Sequence, residues 1–244
     1  MNKMIMVEAK LFLREPGGPI FAILLPLALL LGLGSTSGLR EPIPELGGER
    51  LIDTQFPSMM VLLSVVTMAL TLLPGTLVTY RENGVLRRLS TTPIRPVRLL
   101  VAQVVNNLAT AVVATVLLIV LGGVVLGSAS PKNVLAFTGV FVLGTASMFG
   151  LGLLIAAVAP SAKTAPAIGS LLMFPLLYIS GMWTPRETMP EILQRIGDFL
   201  PMAPFGDALR ATWAGHAPQP LHLAVMAATV LITGVAASRL FRWE

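Results

Sequence analysis

Residues 54–80 read TQFPSMMVLLSVVTMALTLLPGTLVTY, and residues 81–98 continue RENGVLRRLSTTPIRPVR. The first stretch holds no Asp, Glu, Lys or Arg, whereas the second holds six charges. A helical bilayer span needs roughly 20 apolar residues, so the chain can cross a membrane up to Tyr80 and must leave it at Arg81. The same alternation runs throughout. Charge-free stretches cover 16–39, 54–80, 99–131, 133–162, 164–185 and 211–238, together 164 of 244 residues. All 17 basic and 12 acidic residues lie in the other 80. The 12% charge is about half that of an ordinary soluble domain, and the mean hydropathy is +0.81. A soluble enzyme, a disordered chain and a nucleic-acid-binding domain are excluded. The pI near 10.2 reflects membrane topology rather than contact with nucleic acid. Because the runs are continuously apolar, not alternating, a transmembrane barrel is excluded too.

The expected fold is an all-α polytopic membrane protein forming a single domain over 1–244. Spans are placed near 19–38, 56–79, 99–127, 134–159, 165–183 and 220–238. Six spans put both termini on one side, and that side carries eleven of the 17 basic residues but only four of the 12 acidic ones. Positive charge concentrates on the cytosolic side, so both termini are expected in the cytosol of a multi-pass protein of a bacterial cell membrane. Residues 1–15 are expected to lie on the lipid surface as an amphipathic helix, with Met4, Ile5, Val7, Leu11 and Phe12 on its apolar face. Pro16-Gly17-Gly18-Pro19 then turns the chain into an uncleaved first span. Residues 184–219 form the longest outer loop. Thr188 and Glu191 have capping-box spacing, and Ile192, Leu193, Ile196, Phe199 and Leu200 follow at helical spacing up to Pro201. Pro204-Phe205-Gly206-Asp207 begins another turn. Short outer re-entrant helices are the inference.

No Asp, Glu, Lys, Arg or His falls within the first five spans, and His222 stands at the outer edge of the sixth. Ion-driven carriers usually keep such a residue at membrane depth. Cysteine is absent, His216 and His222 alone cannot hold a metal, and no phosphate-binding loop occurs. An intramembrane protease or lipid-headgroup transferase is therefore not expected, nor a cofactor of the chain's own, and any work against a gradient must draw its energy from another chain. The hydroxyls of Ser64, Thr67, Thr71, Thr79, Thr110, Thr115, Thr145, Ser147, Ser170 and Ser180 are expected to bond their own helices. Pro26, Pro74 and Pro175 predict kinks.

The stretch after Tyr80 is the strongest local feature. Val85, Leu86 and Leu89 make an apolar ridge on a short helix, Arg87 and Arg88 face away, and Pro93 and Pro96 end it. Such a helix can lie on lipid or fill a partner's groove. Here the chain resembles the permeases of type-two ABC exporters, in the daunorubicin-resistance branch. Arg81-Glu82-Asn83-Gly84-Val85-Leu86-Arg87-Arg88-Leu89 with Thr92-Pro93-Ile94 is similar to a motif of that family, with Val85 where Thr is usual. Ser180-Gly181-Met182-Trp183-Thr184-Pro185 and Leu200-Pro201-Met202-Ala203-Pro204-Phe205 through Arg210 are similar to two more, in the same order.

The resemblance implies a pair of permeases, as homodimer or heterodimer, above two separate ABC ATPase subunits that hold ATP and Mg. It implies that 81–93 is the coupling helix, with Arg81, Glu82, Gly84, Val85, Leu86, Arg87, Arg88, Leu89 and Pro93 at the ATPase interface. A smaller contact is implied around Lys163. Phe56, Thr67, Thr71, Met173, Phe174 and Tyr178 would line the path of a lipophilic or amphipathic cargo, a drug, lipid or glycolipid. Drug resistance is one physiological outcome of such export. On the residues alone, an ion-coupled carrier or channel and a non-transporting membrane scaffold stay open.

Overall fold

The computed structural model describes residues 17–42, 48, 50–85, 88, 97–183 and 186–240. The interfacial helix expected over 1–15 lies outside them. The described chain is helical, without strands. Its helices are α1 (Gly17–Gly34), α2 (Ser37–Arg40), α3 (Gln55–Thr67), α4 (Leu73–Glu82), α5 (Val97–Leu121), α6 (Val134–Val158), α7 (Thr164–Ile179), α8 (Glu191–Phe199), α9 (Met202–Ala214) and α10 (Pro220–Leu240). A π turn, Met68–Leu72, joins α3 to α4, and another, Gly122–Leu126, extends α5.

Four stretches are long and apolar enough to cross a bilayer: Gln55–Glu82, Arg98–Leu126, Val134–Val158 and Pro220–Ala237. The spans expected near 19–38 and 165–183 are α1 and α7, of 18 and 16 residues, and each ends four residues before the expected bound. At 1.5 Å per residue they rise about 27 and about 24 Å, less than the ~30 Å hydrocarbon core. Both are cut short by local chemistry. After Gly34, the Ser35 and Thr36 hydroxyls donate to Gly32 O and Leu33 O, both at 2.6 Å, and take up the last carbonyls of α1. After Ile179, Gly181 adopts φ +81°. There Gly181 N–H donates to Tyr178 O and Met182 N–H to Leu177 O, a Schellman turn that ends α7 four residues before 183.

The α3–α4 rod forms the centre, and every residue from Met60 to Leu70 is buried. Around it, α1 and α5 pack on α3, while α6 and α7 pack on the π turn and α4. On the periphery α5 exposes Val112, Val113, Val116 and Val120, and α10 exposes Leu231, Ile232 and Val235. These are the surfaces a bilayer would cover.

Pro26 in α1 cannot donate to the carbonyl four residues back, Ala22 O. Ser64 Oγ of α3 donates to that oxygen at 2.9 Å instead. Most other span hydroxyls bond their own helices, as with Thr67 to Leu63 O and Thr110 to Asn106 O. Ser64 departs from that expectation because Pro26 leaves it a needier acceptor.

The turn expected at Pro204 is a complete 13-residue helix, α9, and it absorbs residues 211–214 from the last charge-free run. It is embedded in the bundle. Phe205 and Trp213 are buried, and the Phe205 ring fills the space where a side chain at Gly144 of α6 would stand. Trp213 meets Phe137 edge-on at 5.4 Å and donates through Nε1 to Ala129 O at 2.8 Å. By contrast α8 lies outside. Its Ile192, Ile196 and Phe199 face outward, as an interfacial helix requires. The capping box is not realised as spaced: Pro190 is the N-cap of α8, and Thr188 belongs to the preceding 3-10 turn, Arg186–Thr188.

An ion network fastens these outer elements. Arg186 donates to Asp207, to Asp198 at 2.6 Å and to Gln194 O at 2.8 Å, while Arg210 donates to the other oxygen of Asp207 and to Ser180 O. Burial alone works against the Arg186 charge, but the hydrogen bond to Asp198 and the charges of Asp207 and Asp198 outweigh it and raise its pKa. The ends of α7 and α8 are thereby tied to the middle of α9.

Two measurements check these contacts. Ser64→Ala should lower unfolding free energy in detergent by about 1–3 kcal/mol, because Ala22 O loses its donor. Thr110→Ala, whose hydroxyl serves only its own helix, should change it by no more than about 0.5 kcal/mol. Arg186→Met should cost about 3 kcal/mol, and adding Asp198→Leu should recover part of the loss, since the single change takes the ion-pair partner from Asp198 whereas Asp207 keeps Arg210.

Candidate functional site

The end of the α3–α4 rod gathers the residues expected to meet a partner. The final carbonyls of α6 have no intrahelical donor. Arg81, at the end of α4, reaches across and donates to Ala156 O at 3.3 Å and to Ala159 O. A cation at a helix C-terminus is also favoured by the helix dipole. The next residue does the converse. Glu82 Oε1 accepts from Ala162 N–H at 3.0 Å, beside the start of α7. Neighbouring residues of opposite charge thus meet two helix ends of opposite polarity.

The loop they grip is short and internally bonded. Ser161 N–H donates to Thr164 Oγ1 at 3.0 Å and Thr164 N–H donates to Ser161 Oγ at 3.2 Å, a reciprocal cap on α7. Lys163 stands exposed in this loop. The two segments expected to contact an ATPase, the one opening at Arg81 and the one around Lys163, are therefore bonded to each other.

Beyond Glu82 the rod must stop. Asn83 N–H donates to Thr79 O and Gly84 N–H to Arg81 O, and Gly84 takes φ +65°. That left-handed conformation favours glycine and closes the helix. Val85 is half-buried, Arg88 is exposed, and Arg88 N–H donates to Gly84 O, which starts a new turn. Leu86, Arg87, Leu89 and Pro93 lie outside the described residues.

The expected path residues divide into two groups. Thr67 and Met173 are buried in the subunit's own core, with Thr67 Oγ1 4.0 Å from Met173 Sδ across α3 and α7. Phe56 and Thr71 are half-buried. Phe174 and Tyr178 are exposed on α7, at 58% and 40%, so they alone present a substantial surface.

Two polar groupings are absent from the sequence-derived site. On α5, Gln103, Asn106 and Asn107 are buried at membrane depth. Gln103 Nε2 donates to Tyr80 Oη at 3.4 Å and Asn107 Nδ2 to Gln103 O at 2.9 Å, while Asn106 Nδ2 and Asn107 Oδ1 are buried without a partner. Their i, i+3, i+4 spacing on one helix face was a usable signal. The second grouping is the ion network, which borders a cleft of about 380 Å³ lined by Arg186, Gln194, Asp198, Asp207, Gln219 and His222. His222, placed by the sequence at the edge of the sixth span, is buried there, with Nε2 3.9 Å from Asp207 Oδ2. Its members are spread from 186 to 222, and no local spacing joins them.

Comparison with known proteins identifies the family. The sequence pattern of the ABC-2 type transporter family matches residues 3–213. The chain is 23% identical over 233 residues to a Bacillus subtilis (strain 168) protein named transport permease YvfS, covering 95% of this chain and 93% of that protein. It is 30% identical over 156 residues to inner membrane transport permease YhhJ of Escherichia coli (strain K12), covering 62% of this chain and 41% of that protein. Nodulation protein J of Rhizobium leguminosarum bv. viciae is 31% identical over 94 residues, 38% of this chain and 36% of that protein. From this match over most of its length, with the helical architecture, the chain belongs to the ABC-2 type transporter family, as a membrane permease.

Proposed function

We propose that this permease exports a lipophilic or amphipathic compound from a bacterial cell, driven by ATP bound with Mg on two separate ATPase subunits. Two permease subunits, identical or homologous, would form the path, with both termini of each in the cytosol and six membrane-embedded helices per subunit. Drugs, lipids and glycolipids have the required chemistry, and drug resistance is one consequence of such export. Phe174 and Tyr178 offer exposed aromatic surface suited to an apolar cargo. Thr67, Thr71, Met173 and Phe56 lie behind or beside that surface and would shape it.

The observation that carries this reading is the double tie at Arg81 and Glu82. A coupling element must pass a push from a partner into the bundle without flexing away from it. Here the chain that leads into the coupling segment is bonded to the end of one helix and the start of another. A push on 81–93 would reach α4, α6 and α7 together. Val85, Leu86 and Leu89 would seat in a groove of the ATPase, with Arg87, Arg88 and Lys163 at its rim.

Two experiments test the proposal. Replacing Leu86 and Leu89 with Asp should release the ATPase while the permease still inserts; retained co-purification would overturn the assignment of the coupling helix. Arg81→Ala with Glu82→Ala should keep the ATPase bound but lower cargo moved per ATP about tenfold, the scale of losing hydrogen bonds to charged groups in a partly exposed setting. An unchanged ratio in liposomes would show that the tie does not transmit.

A further inference from the structure

The coupling end is bonded to α6 and α7, so it cannot move without them, and the structure shows where all three could bend. In the central rod Leu73 N–H reaches back five residues to Met68 O. Pro74 has no N–H for the carbonyl four residues back, Leu70 O, and its ring crowds that position. The π turn Met68–Leu72 is thus where the rod's hydrogen-bond ladder is thinnest. Such turns are recurrent sites of helix bending.

The neighbouring helices meet this turn with glycine. A Cβ built at Gly152 of α6 would collide with Ala69 O, and one at Gly169 of α7 would collide with Leu70 O. Two consecutive carbonyls of the π turn therefore lie directly against the backbones of α6 and α7, with no side chain between. Glycine is also the weakest point of a helix interior short of proline. Just below, Pro166 Cγ would stand 3.1 Å from a Cβ at Gly75, so α4 and α7 stay close. Gly152 and Gly169 each lie seven residues from the bonded loop, at Ala159 and Ala162, or about 10 Å along a helix.

Above this level the rod is fixed. Met60–Thr67 are all buried, and Ser64 is bonded to α1. Below it, the burial of α4 is confined to Leu73, Pro74, Leu77 and Val78, and its end is held by Arg81 and Glu82.

We infer that residues 73–82, 153–163 and 164–168 form one rigid block, and that it pivots on the level defined by Leu70, Gly152 and Gly169. Gly152 and Gly169 are positioning residues: they touch no cargo, and they set the axis about which the coupling end swings. The role in transport rests on the function proposed above, whereas the hinge itself is a property of this chain. Adding a methyl at either glycine pushes its helix off the carbonyl and jams the joint. Replacing Pro74 with Ala restores a donor for Leu70 O and stiffens the rod without adding bulk.

The test uses the full chain in nanodiscs. It contains no cysteine, so cysteines introduced at Lys163 and at exposed Ala217 carry the only spin labels. Pulsed electron paramagnetic resonance should give a broad or two-component distance distribution for the parent chain. Gly152→Ala, Gly169→Ala and Pro74→Ala should each narrow it, while Gly139→Ala and Gly234→Ala, where a Cβ meets nothing within 4 Å, should not. Pro74→Ala serves if the glycine variants fail to insert. A distribution that is already narrow in the parent, or equally broad in all variants, overturns the hinge. In the complex with its ATPase, the hinge variants should keep the partner bound and hydrolyse ATP but move at least tenfold less cargo per ATP. If the parent complex moves no cargo with ATP while the distributions behave as expected, the functional proposal fails and the hinge stands.

Discussion

Inside a bilayer there is no water to complete a peptide group's hydrogen bonds, so each carbonyl or amide left over by a helix needs a partner from the protein itself. Much of this structure answers that demand. Proline strips a donor from α1, and a serine on α3 supplies one. The ends of α1 and α7 are closed by hydroxyls and by a left-handed glycine. Asn133 accepts from Ala136 N–H to begin α6, and Arg81 donates to its last carbonyls to end it. Asp53 accepts from Ala129 N–H, and Trp213 donates to Ala129 O, which settles the connection between α5 and α6. The polar residues of this apolar chain are mostly engaged in finishing its backbone.

The same demand gives the segment Arg81–Gly84 its physical content. Arg-Glu-Asn-Gly is a compact solution to three needs: a cation for the end of one helix, an anion near the start of another, and a tight exit for the helix that carries them. Each residue acts through backbone groups elsewhere in the bundle. A motif of this kind can hold while the surrounding apolar residues drift, because their requirement is only to be apolar and to fit.

The charge-free runs made the all-α membrane architecture legible, and the order of three loop motifs made the family legible. The proline positions were readable because their backbone restriction is local. What could not be read depends on partners distant in sequence. The acceptor of Ser64 lies 42 residues away, and only the packed structure shows that Pro26 had left it in need. Thr188 and Glu191 had the right spacing for a cap, yet α8 begins one residue after Pro190, and Thr188 was drawn into the preceding 3-10 turn. The amides of α5 were submerged in the hydropathy of their neighbours. The ion network joins charges from 186 to 210 with a histidine at 222, and only the folding of α8 and α9 against α10 brings them together.

The embedding of α9 has a consequence for how the protein is made. The groove at Gly144 belongs to α6, but the ring that fills it, Phe205, follows some sixty residues later in the chain. During synthesis α6 is therefore made well before the ring that fills its notch. The helices that precede it in the chain cannot complete the packing around α6, and a chain that stops short of Phe205 leaves the notch at Gly144 open.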